Sequence, residues 1–184
     1  ESDVSFICVG TPSKKNGDLE LNYIEGVCRE IGMAMRDKNE RHTVVVRSTV
    51  LPGTAKNVVL PILEDCSGKK AGVDFGLAVN PEFLREGAAI GDFKRPDRVV
   101  IGIDDITGDA GGRAQKVMSE LYRPLNLNES PLLFVGRRTS ELIKYAANAF
   151  LAMKITFINE IADLCEAVGA DVQQVARGIG LDNR

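Results

Sequence analysis

Two carboxylates four residues apart, Glu82 and Glu86, follow an apolar run from residue 75 to 79 that is typical of a buried strand. Asn80 and Pro81 end that strand, because proline has no N–H for the ladder and holds its neighbour extended. Ligands of open α/β sheets bind outside the carboxyl ends of the strands. The carboxylates therefore lie where a ligand would bind, although an ordinary acidic helix start would contain the same residue types.

Two hydroxyl side chains, Thr11 and Thr49, follow two further apolar runs in the same way. Gly10 lets a ligand approach the backbone closely, and the hydroxyls could contact a ribose, a phosphate or an ordered water. A single turn of this kind is common after a strand and does not by itself indicate a ligand site. The carboxyl ends of parallel strands share one edge, so we expect Thr11, Thr49, Glu82 and Glu86 to converge there.

A cation and an amide, Lys144 and Asn148, stand four residues apart on one face of a long predicted helix. They could donate to a sugar hydroxyl or to a developing oxyanion. The alternative is a lysine whose stem lies along apolar neighbours while its head reaches water, beside an asparagine with ordinary partners. The pattern alone favours that alternative.

The alternation of strands and helices predicts an α/β fold with a parallel, right-handed sheet covered by helices. A helix of seven to eight turns follows, capped by Thr139 or Ser140 and ended by Gly169. We place a domain boundary near residue 137, which gives regions 1–137 and 138–184. The predicted strands are 4–9, 43–46, 75–79, 98–103 and 132–135, and the predicted helices are 22–36, 53–64, 110–122, 139–168 and one from 171.

Composition excludes several classes of protein. The 184 residues carry a net charge of −3, which gives no electrostatic footprint for nucleic acid or an anionic membrane. No apolar run is long enough to span a bilayer. The cysteines form no CxxC pair and indicate reduced thiols in a cytosolic protein, with Cys66 in a polar loop. The single His42 cannot anchor a metal site, so we predict no metal and a structural role for His42.

Five stretches resemble the nucleotide-sugar 6-dehydrogenases, that is, the UDP-glucose and GDP-mannose dehydrogenases. Residues 1–80 are most similar to GDP-mannose enzymes and residues 81–184 to bacterial UDP-glucose enzymes, which fits a mosaic gene, an assembled sequence or an intermediate lineage. The matching stretches are Val4–Pro12 (VSFICVGTP), Arg47–Gly53 (RSTVLPG), Asn80–Gly87 (NPEFLREG), Arg95–Gly102 (RPDRVVIG) and Glu141–Ala162 (ELIKYAANAFLAMKITFINEIA).

The resemblance implies oxidation of a sugar C6 alcohol to a carboxylate in two NAD-dependent steps, with a cysteine thioester hydrolysed at the end. It implies that Glu82 acts as base on water, that Thr49 holds that water, and that Lys144 and Asn148 stabilise the oxyanion. It further implies a homodimer formed through the long helix and UDP-glucose or GDP-mannose as substrate. The NAD site would consist of Val9, Gly10, Thr11, Pro12, Ser13, Ser48, Thr49 and Glu86. The sugar-nucleotide site would consist of Glu82, Phe83, Leu84, Arg85, Glu86, Lys144 and Asn148.

Two parts of the family pattern, the strand–GxGxxG–helix unit and the GGSCxPKD segment with the nucleophile, do not occur in the chain. None of the four cysteines matches that nucleophile. We therefore interpret the fold as an incomplete Rossmann-like sheet, a long central helix and the start of a helical dimerisation domain, cut from a longer enzyme. A non-catalytic module that dimerises and binds a nucleotide sugar is the alternative. Another hydroxyacid-type dehydrogenase fits poorly, because NPEFLREG has no role there.

Overall fold

The computed structural model describes residues 2–104, 109–126 and 130–182, and the chain divides into two compact units, Glu1–Lys144 and Tyr145–Arg184. The strands are β1 Val4–Ile7, β2 His42–Val46, β3 Phe75–Val79, β4 Val99–Ile103 and β5 Leu132–Gly136. The helices are α1 Asn22–Arg36, α2 Leu60–Ser67 with a π-helical segment Ala55–Val59 directly before it, α3 Ala89–Lys94, α4 Asp109–Asn126, α5 Arg137–Val168 and α6 Val172–Gly180.

The five strands form one sheet in the order β1-β2-β3-β4-β5. Strands β1, β2 and β3 are parallel, and β4 is parallel to β5, as predicted. The prediction of an all-parallel sheet is wrong at one junction, where β3 and β4 meet antiparallel through Val79 and Gly102. The connection between these strands contains only the six-residue helix α3, which has no buried residue. It therefore lacks the packed crossover helix that normally joins parallel neighbours.

Strand β2 is buried along its whole length, because helices cover both faces of the sheet. Val44 and Val46 face the core under α1 and α2, whereas Val45 faces the core under α4. The first core contains Ile7, Ile24, Cys28, Met35, Val59, Leu63, Phe75, Leu77 and Val79, and the second contains Ala78, Val99, Ile101, Ile103, Ala114, Met118 and Tyr122.

Helix α5 begins at Arg137, directly after β5, so neither Thr139 nor Ser140 caps it as predicted. The Ser140 hydroxyl instead donates to the Val79 carbonyl at 3.3 Å. This contact brings the first turn of α5 onto the sheet beside Gly102, where a Cβ atom would lie 2.6 Å from the Ser140 Cβ. The predicted end of the helix is confirmed, since α5 stops at residue 168 and Gly169 has a φ of 72°.

The cysteines are all free thiols, and burial raises the pKa of Cys28 to about 12. Cys66 lies in helix α2 and not in the predicted loop, because that helix extends to residue 67. His42 lies between the Ser2 carbonyl and the Ser5 hydroxyl, each 2.9 Å from a ring nitrogen, and burial lowers its pKa. It is therefore part of the packing at the amino-terminal edge of the sheet.

Among the described residues, no helix is long and apolar enough to cross a membrane. The same residues contain no group of three or more His, Cys, Asp or Glu side chains that could hold a metal ion.

The second unit consists of the rest of α5 and helix α6. Asp171 caps α6 by accepting a hydrogen bond from the Gln174 amide at 2.9 Å, where the sequence predicts a helix start. Large apolar side chains stay exposed along this part of α5. The predicted domain boundary near residue 137 stays a prediction, since the first compact unit runs on into α5 as far as Lys144.

Candidate functional site

The turns that follow β1 and β2 are hydrogen-bonded to each other at the carboxyl edge of the sheet. Thr11 Oγ1 donates to the Thr49 carbonyl at 2.8 Å, and Ser48 Oγ donates to the Val9 carbonyl at 2.6 Å. Thr11 and Thr49 are half-buried, while Gly10 is exposed. The sheet therefore brings the two predicted turns together, although 38 residues separate the two threonines.

Glu82 and Lys144 form the ion pair at the centre of this edge. Lys144 Nζ lies 2.9 Å from Glu82 Oε1, and the Leu84 amide donates to Glu82 Oε2 at 2.6 Å. Lys144 is only 7% exposed, so its ammonium does not reach into water as the pattern had favoured. The pair joins the segment after β3 to the second turn of α5.

Phe83 lies against two cations. The Lys144 ammonium is 5.4 Å and the Arg98 guanidinium 4.2 Å from its ring centroid. A cation over an aromatic face is attracted to the negative face of the ring. The Lys144 ammonium therefore contacts both the Phe83 ring and the Glu82 carboxylate.

The Glu82 carboxyl has a lowered pKa. Burial raises that pKa, but hydrogen bonds from Lys144 and from the Leu84 amide, with the charges of Lys144 and Arg47, lower it by more. Glu82 is therefore ionised at neutral pH. It can accept a proton, and its charge compensates the buried ammonium.

A second polar network, which the sequence analysis missed, lies between β2, β3 and α4. Arg47 Nη1 donates to Asn80 Oδ1 at 2.7 Å and to the Tyr122 hydroxyl at 3.1 Å, and that hydroxyl also bonds Asn80. Asn80 Nδ2 donates to the Val100 carbonyl at 2.9 Å. Burial raises the pKa of Tyr122, so the phenol keeps its proton. Arg47 thus carries a fixed positive charge close enough to lower the pKa of Glu82.

The first two turns of α5 bury a polar face, which the sequence analysis also missed. A buried helix face normally carries apolar residues at positions i, i+3, i+4 and i+7. In α5 the buried residues at that spacing are polar, whereas Leu142 is 55% exposed. This inverted pattern was the available signal. The buried residues are Arg137, Ser140, Glu141 and Lys144.

Each member of this polar face has a partner in the sheet domain. Arg137 forms a two-pronged ion pair with Asp104, and Ser140 bonds the Val79 carbonyl. Glu141, which is 2% exposed, accepts hydrogen bonds from the backbone amides of Gly53 and Ala55. No buried side-chain polar atom of the described residues lacks a hydrogen-bond partner.

The remaining predicted site residues lie outside this cluster. Glu86 is exposed, and Arg85 is exposed and pairs with Asp92, whose pKa this contact lowers to about 2. Pro12 and Ser13 are exposed in the loop after β1. Asn148 is exposed one turn beyond Lys144 on α5, in the second compact unit.

Comparison with protein families gives two matches. Residues 1–126 match the NAD binding domain of the UDP-glucose/GDP-mannose dehydrogenase family, and residues 138–184 match the central domain of the same family.

Relatives with both substrate names resemble this chain over its whole length. A GDP-mannose 6-dehydrogenase of Pseudomonas aeruginosa is 57% identical, and a UDP-glucose 6-dehydrogenase of Rhizobium meliloti is 59% identical. The chain spans 40% of the length of each of these relatives.

Two solved structures have the same fold over the full chain and 40% of their own length. A ternary complex of GDP-mannose dehydrogenase from Pseudomonas aeruginosa gives a TM-score of 0.92 at 56% identity. A UDP-glucose dehydrogenase from Pyrobaculum islandicum gives a TM-score of 0.88 at 42% identity.

Proposed function

This chain belongs to the UDP-glucose/GDP-mannose dehydrogenase family, and we propose from that premise that it is the NAD-facing and sugar-facing part of a longer nucleotide-sugar 6-dehydrogenase. The reaction is the four-electron oxidation of a sugar C6 alcohol to the uronic acid. The observation that carries the proposal is the buried ammonium of Lys144, held 2.9 Å from an ionised Glu82 at the carboxyl edge of the sheet.

Lys144 supplies the charge that the oxidation needs. Loss of a hydride from C6 requires loss of the O6 proton, so negative charge builds on that oxygen. A fixed cation in a site shielded from water stabilises this charge more than it stabilises the neutral alcohol. For Asn148, the proposed second donor, the support is the spacing of four residues and the family resemblance.

Glu82 supplies the proton acceptor for the last step. Hydrolysis of the thioester that the resemblance implies requires a water to lose a proton as it attacks the carbonyl carbon. Glu82 is ionised and so can take that proton, and Thr49 lies on the neighbouring strand end to hold the water. The lowered pKa weakens Glu82 as a base but keeps it free of a proton.

The NAD site is proposed at the turns after β1 and β2. NAD would have room to approach the backbone there, because no atom beyond the two neighbouring residues lies within 4 Å of a Cβ position at Gly10. The next side chain, Thr11, is held by its hydrogen bond to the Thr49 carbonyl. The residues that would hold the cofactor are Val9, Gly10, Thr11, Pro12, Ser13, Ser48, Thr49 and Glu86. When bound, NAD accepts the hydride from C6.

The second unit is proposed to form a homodimer contact. Its part of α5 exposes large apolar side chains that a partner subunit would cover, and exposed apolar patches of this kind mark interaction sites. The large exposed apolar residues of this part of α5 are Phe150, Leu151, Met153, Ile155, Phe157, Leu164 and Val168.

UDP-glucose is the proposed substrate and GDP-mannose the alternative. The sugar-facing segments, residues 83–86 and 144–148, lie in the half of the chain that resembles UDP-glucose enzymes, and specificity depends on contacts with the substrate in the transition state. GDP-mannose as substrate is supported by a relative named GDP-mannose 6-dehydrogenase, which matches the whole chain at 57% identity.

Comparison of kcat/KM for UDP-glucose and GDP-mannose with the complete enzyme tests this proposal. A higher value for UDP-glucose supports the preferred substrate, and a higher value for GDP-mannose selects the alternative. NADH formation from neither nucleotide sugar, with the protein folded, would leave the non-catalytic module as the better interpretation.

A further inference from the structure

The turn after β2 is attached to helix α5 by a single buried carboxylate. Glu141 Oε2 accepts from the Gly53 amide at 2.5 Å, and Glu141 Oε1 accepts from the Ala55 amide at 2.8 Å. These contacts cross 88 and 86 residues of sequence. Both oxygens of one side chain are therefore committed to one short backbone segment.

This contact requires a carboxylate. The amides of Gly53 and Ala55 lie at the start of the π-helical segment that leads into α2, where backbone N–H groups have no partner within the helix and an anion is favoured. A glutamine could accept from only one of the two amides, because its NH₂ group is a donor. The other amide would then face a donor in a buried site.

Glu141 also lies one helical turn before Lys144, on the same buried face of α5. The turn that Glu141 binds carries Thr49, whose carbonyl accepts from Thr11 at 2.8 Å. The other end of the same turn, at Gly53 and Ala55, donates its backbone amides to the Glu141 carboxylate. Glu141 is thus the link between the strand-end turns and the helix that carries the ammonium.

We propose that Glu141 is a positioning residue, which holds the Thr49 turn and Lys144 at a fixed distance so that both face the same reacting atoms. This inference rests on the proposed function. Glu141 touches neither reacting group itself and acts through Lys144. A displacement of about 1 Å in such a site can cost about 10²-fold in rate, so loss of one amide contact should be visible in kcat.

A double-mutant cycle in the complete enzyme tests this role. Glu141→Gln, Lys144→Ala and the double variant are compared with wild type for kcat and for KM of both substrates. We expect Glu141→Gln to lower kcat by about 10- to 10²-fold, with KM changed far less. In the Lys144→Ala background, the same substitution should change kcat less than about three-fold, because the group it positions is gone.

Two kinetic outcomes overturn the inference. Equal losses of kcat in both backgrounds would mean that Glu141 acts independently of Lys144, and an unchanged kcat in the single variant would mean that it positions nothing. Glu30→Gln, an exposed charge removal on α1, is the matched control and should keep wild-type kcat. If Glu141→Gln does not fold, Glu141→Asp, which keeps the carboxylate one methylene shorter, enters the same cycle with the same criteria.

Hydrogen exchange separates failure of the inference from failure of the proposed function. If the wild-type enzyme forms no NADH, the proposed function fails. The role of Glu141 in holding the turn after β2 is then tested by amide hydrogen exchange alone. We expect Glu141→Gln to speed exchange in residues 49–56 and in residues 82–84, whereas Glu30→Gln leaves both unchanged. Unchanged exchange in these segments in Glu141→Gln would overturn the inference.

Discussion

Lys144 is kept buried and charged by a small number of contacts. Removing an ammonium from water costs several kcal/mol, and the loss is offset only when the partner geometry is good. Here the partners are the Glu82 carboxylate and the face of Phe83. A buried charge of this kind is expensive for stability, and we interpret it as retained for the oxyanion chemistry proposed above.

The first prediction concerns Glu82→Gln in the complete enzyme. Glutamine keeps the size of the side chain but cannot take a proton from water, so hydrolysis should stall after both oxidations. We expect a burst of NADH without turnover, and mass spectrometry of the quenched protein should show a covalent sugar-nucleotide adduct. Unmodified protein together with normal acid production would remove Glu82 from the mechanism.

The second prediction concerns the pH dependence of stability. The Glu82 pKa is lowered in the folded protein, so its contribution is present above the unfolded pKa of about 4.3 and is lost as the pH falls through the folded value. The difference in thermal midpoint between wild type and Glu82→Gln should therefore be largest above about pH 5 and shrink towards about pH 3.

Thermal scans of wild type and Glu82→Gln between those pH values measure this difference, with Glu30→Gln as the control for removing a carboxylate. A difference that grows on acidification would show that the ion pair does not stabilise the ionised form of Glu82.

At the scale of elements, glycine decides how closely α1 approaches α2. A Cβ at Gly32 would lie 2.6 Å from the Cys66 Cβ, whereas nothing lies within 4 Å of a Cβ at Gly26, in the same helix. The two positions are thus matched in backbone conformation and differ in the neighbouring helix. Close helix packing at Gly32 helps to fix α2 and the segment before it, which Glu141 binds.

The third prediction uses this pair. Gly26→Ala should raise the free energy of unfolding by about 0.5–1 kcal/mol, because alanine restricts the unfolded chain and favours the helix. Gly32→Ala should lower it by about 1–3 kcal/mol, because the helices must separate. Urea unfolding of both variants measures the two values. Equal changes at the two positions would show that α1 and α2 do not approach as closely as described.

The elements were largely predictable from sequence, but the antiparallel direction of β4 relative to β3 was not. Apolar runs predict the strands, because a strand that is buried on both faces is apolar along its length. This pattern is the same whichever way the strand runs. For that reason the antiparallel junction at Val79 and Gly102 left no signal in β4. The short helix α3 was missed because none of its residues is buried and no apolar periodicity marks it.

The site was predictable in part. The turns at Thr11 and Thr49 could be placed at one edge from strand ends alone, and the structure brings them within hydrogen-bonding distance. The role of Glu141 could not be deduced, since its partners are backbone amides about 90 residues away and carry no side-chain signature. The burial of the Lys144 ammonium was not predicted, because apolar neighbours such as Leu142 favour a lysine whose head reaches water.

At the scale of the whole molecule, the proposed function assigns residues of this chain to charge stabilisation and to proton transfer, but it assigns no cysteine of this chain as the nucleophile. Cys28 is buried, with its pKa raised to about 12, so it stays a thiol at neutral pH. Cys165 is buried in the second unit. None of the four cysteines lies in the family motif that carries the attacking thiolate.

The fourth prediction follows for the isolated 184-residue chain. It should form no NADH from UDP-glucose or GDP-mannose, because loss of a covalent nucleophile removes the second oxidation and the chain has no glycine-rich cradle for the pyrophosphate. Absorbance at the NADH maximum, measured over hours with the pure chain, checks this. Reproducible NADH above background would show that residues 1–184 suffice.

Lys144 is proposed to serve both oxidations of one sugar carbon, with Glu82 beside it for the hydrolysis that follows. The most direct measurement is the ratio of NADH formed to nucleotide uronate formed by the complete enzyme, for wild type and Lys144→Ala. We expect two NADH per uronate from both proteins, with kcat lowered by about 10²–10³-fold in the variant and KM little changed. One NADH per sugar, or a variant that changes KM while kcat holds, would contradict it.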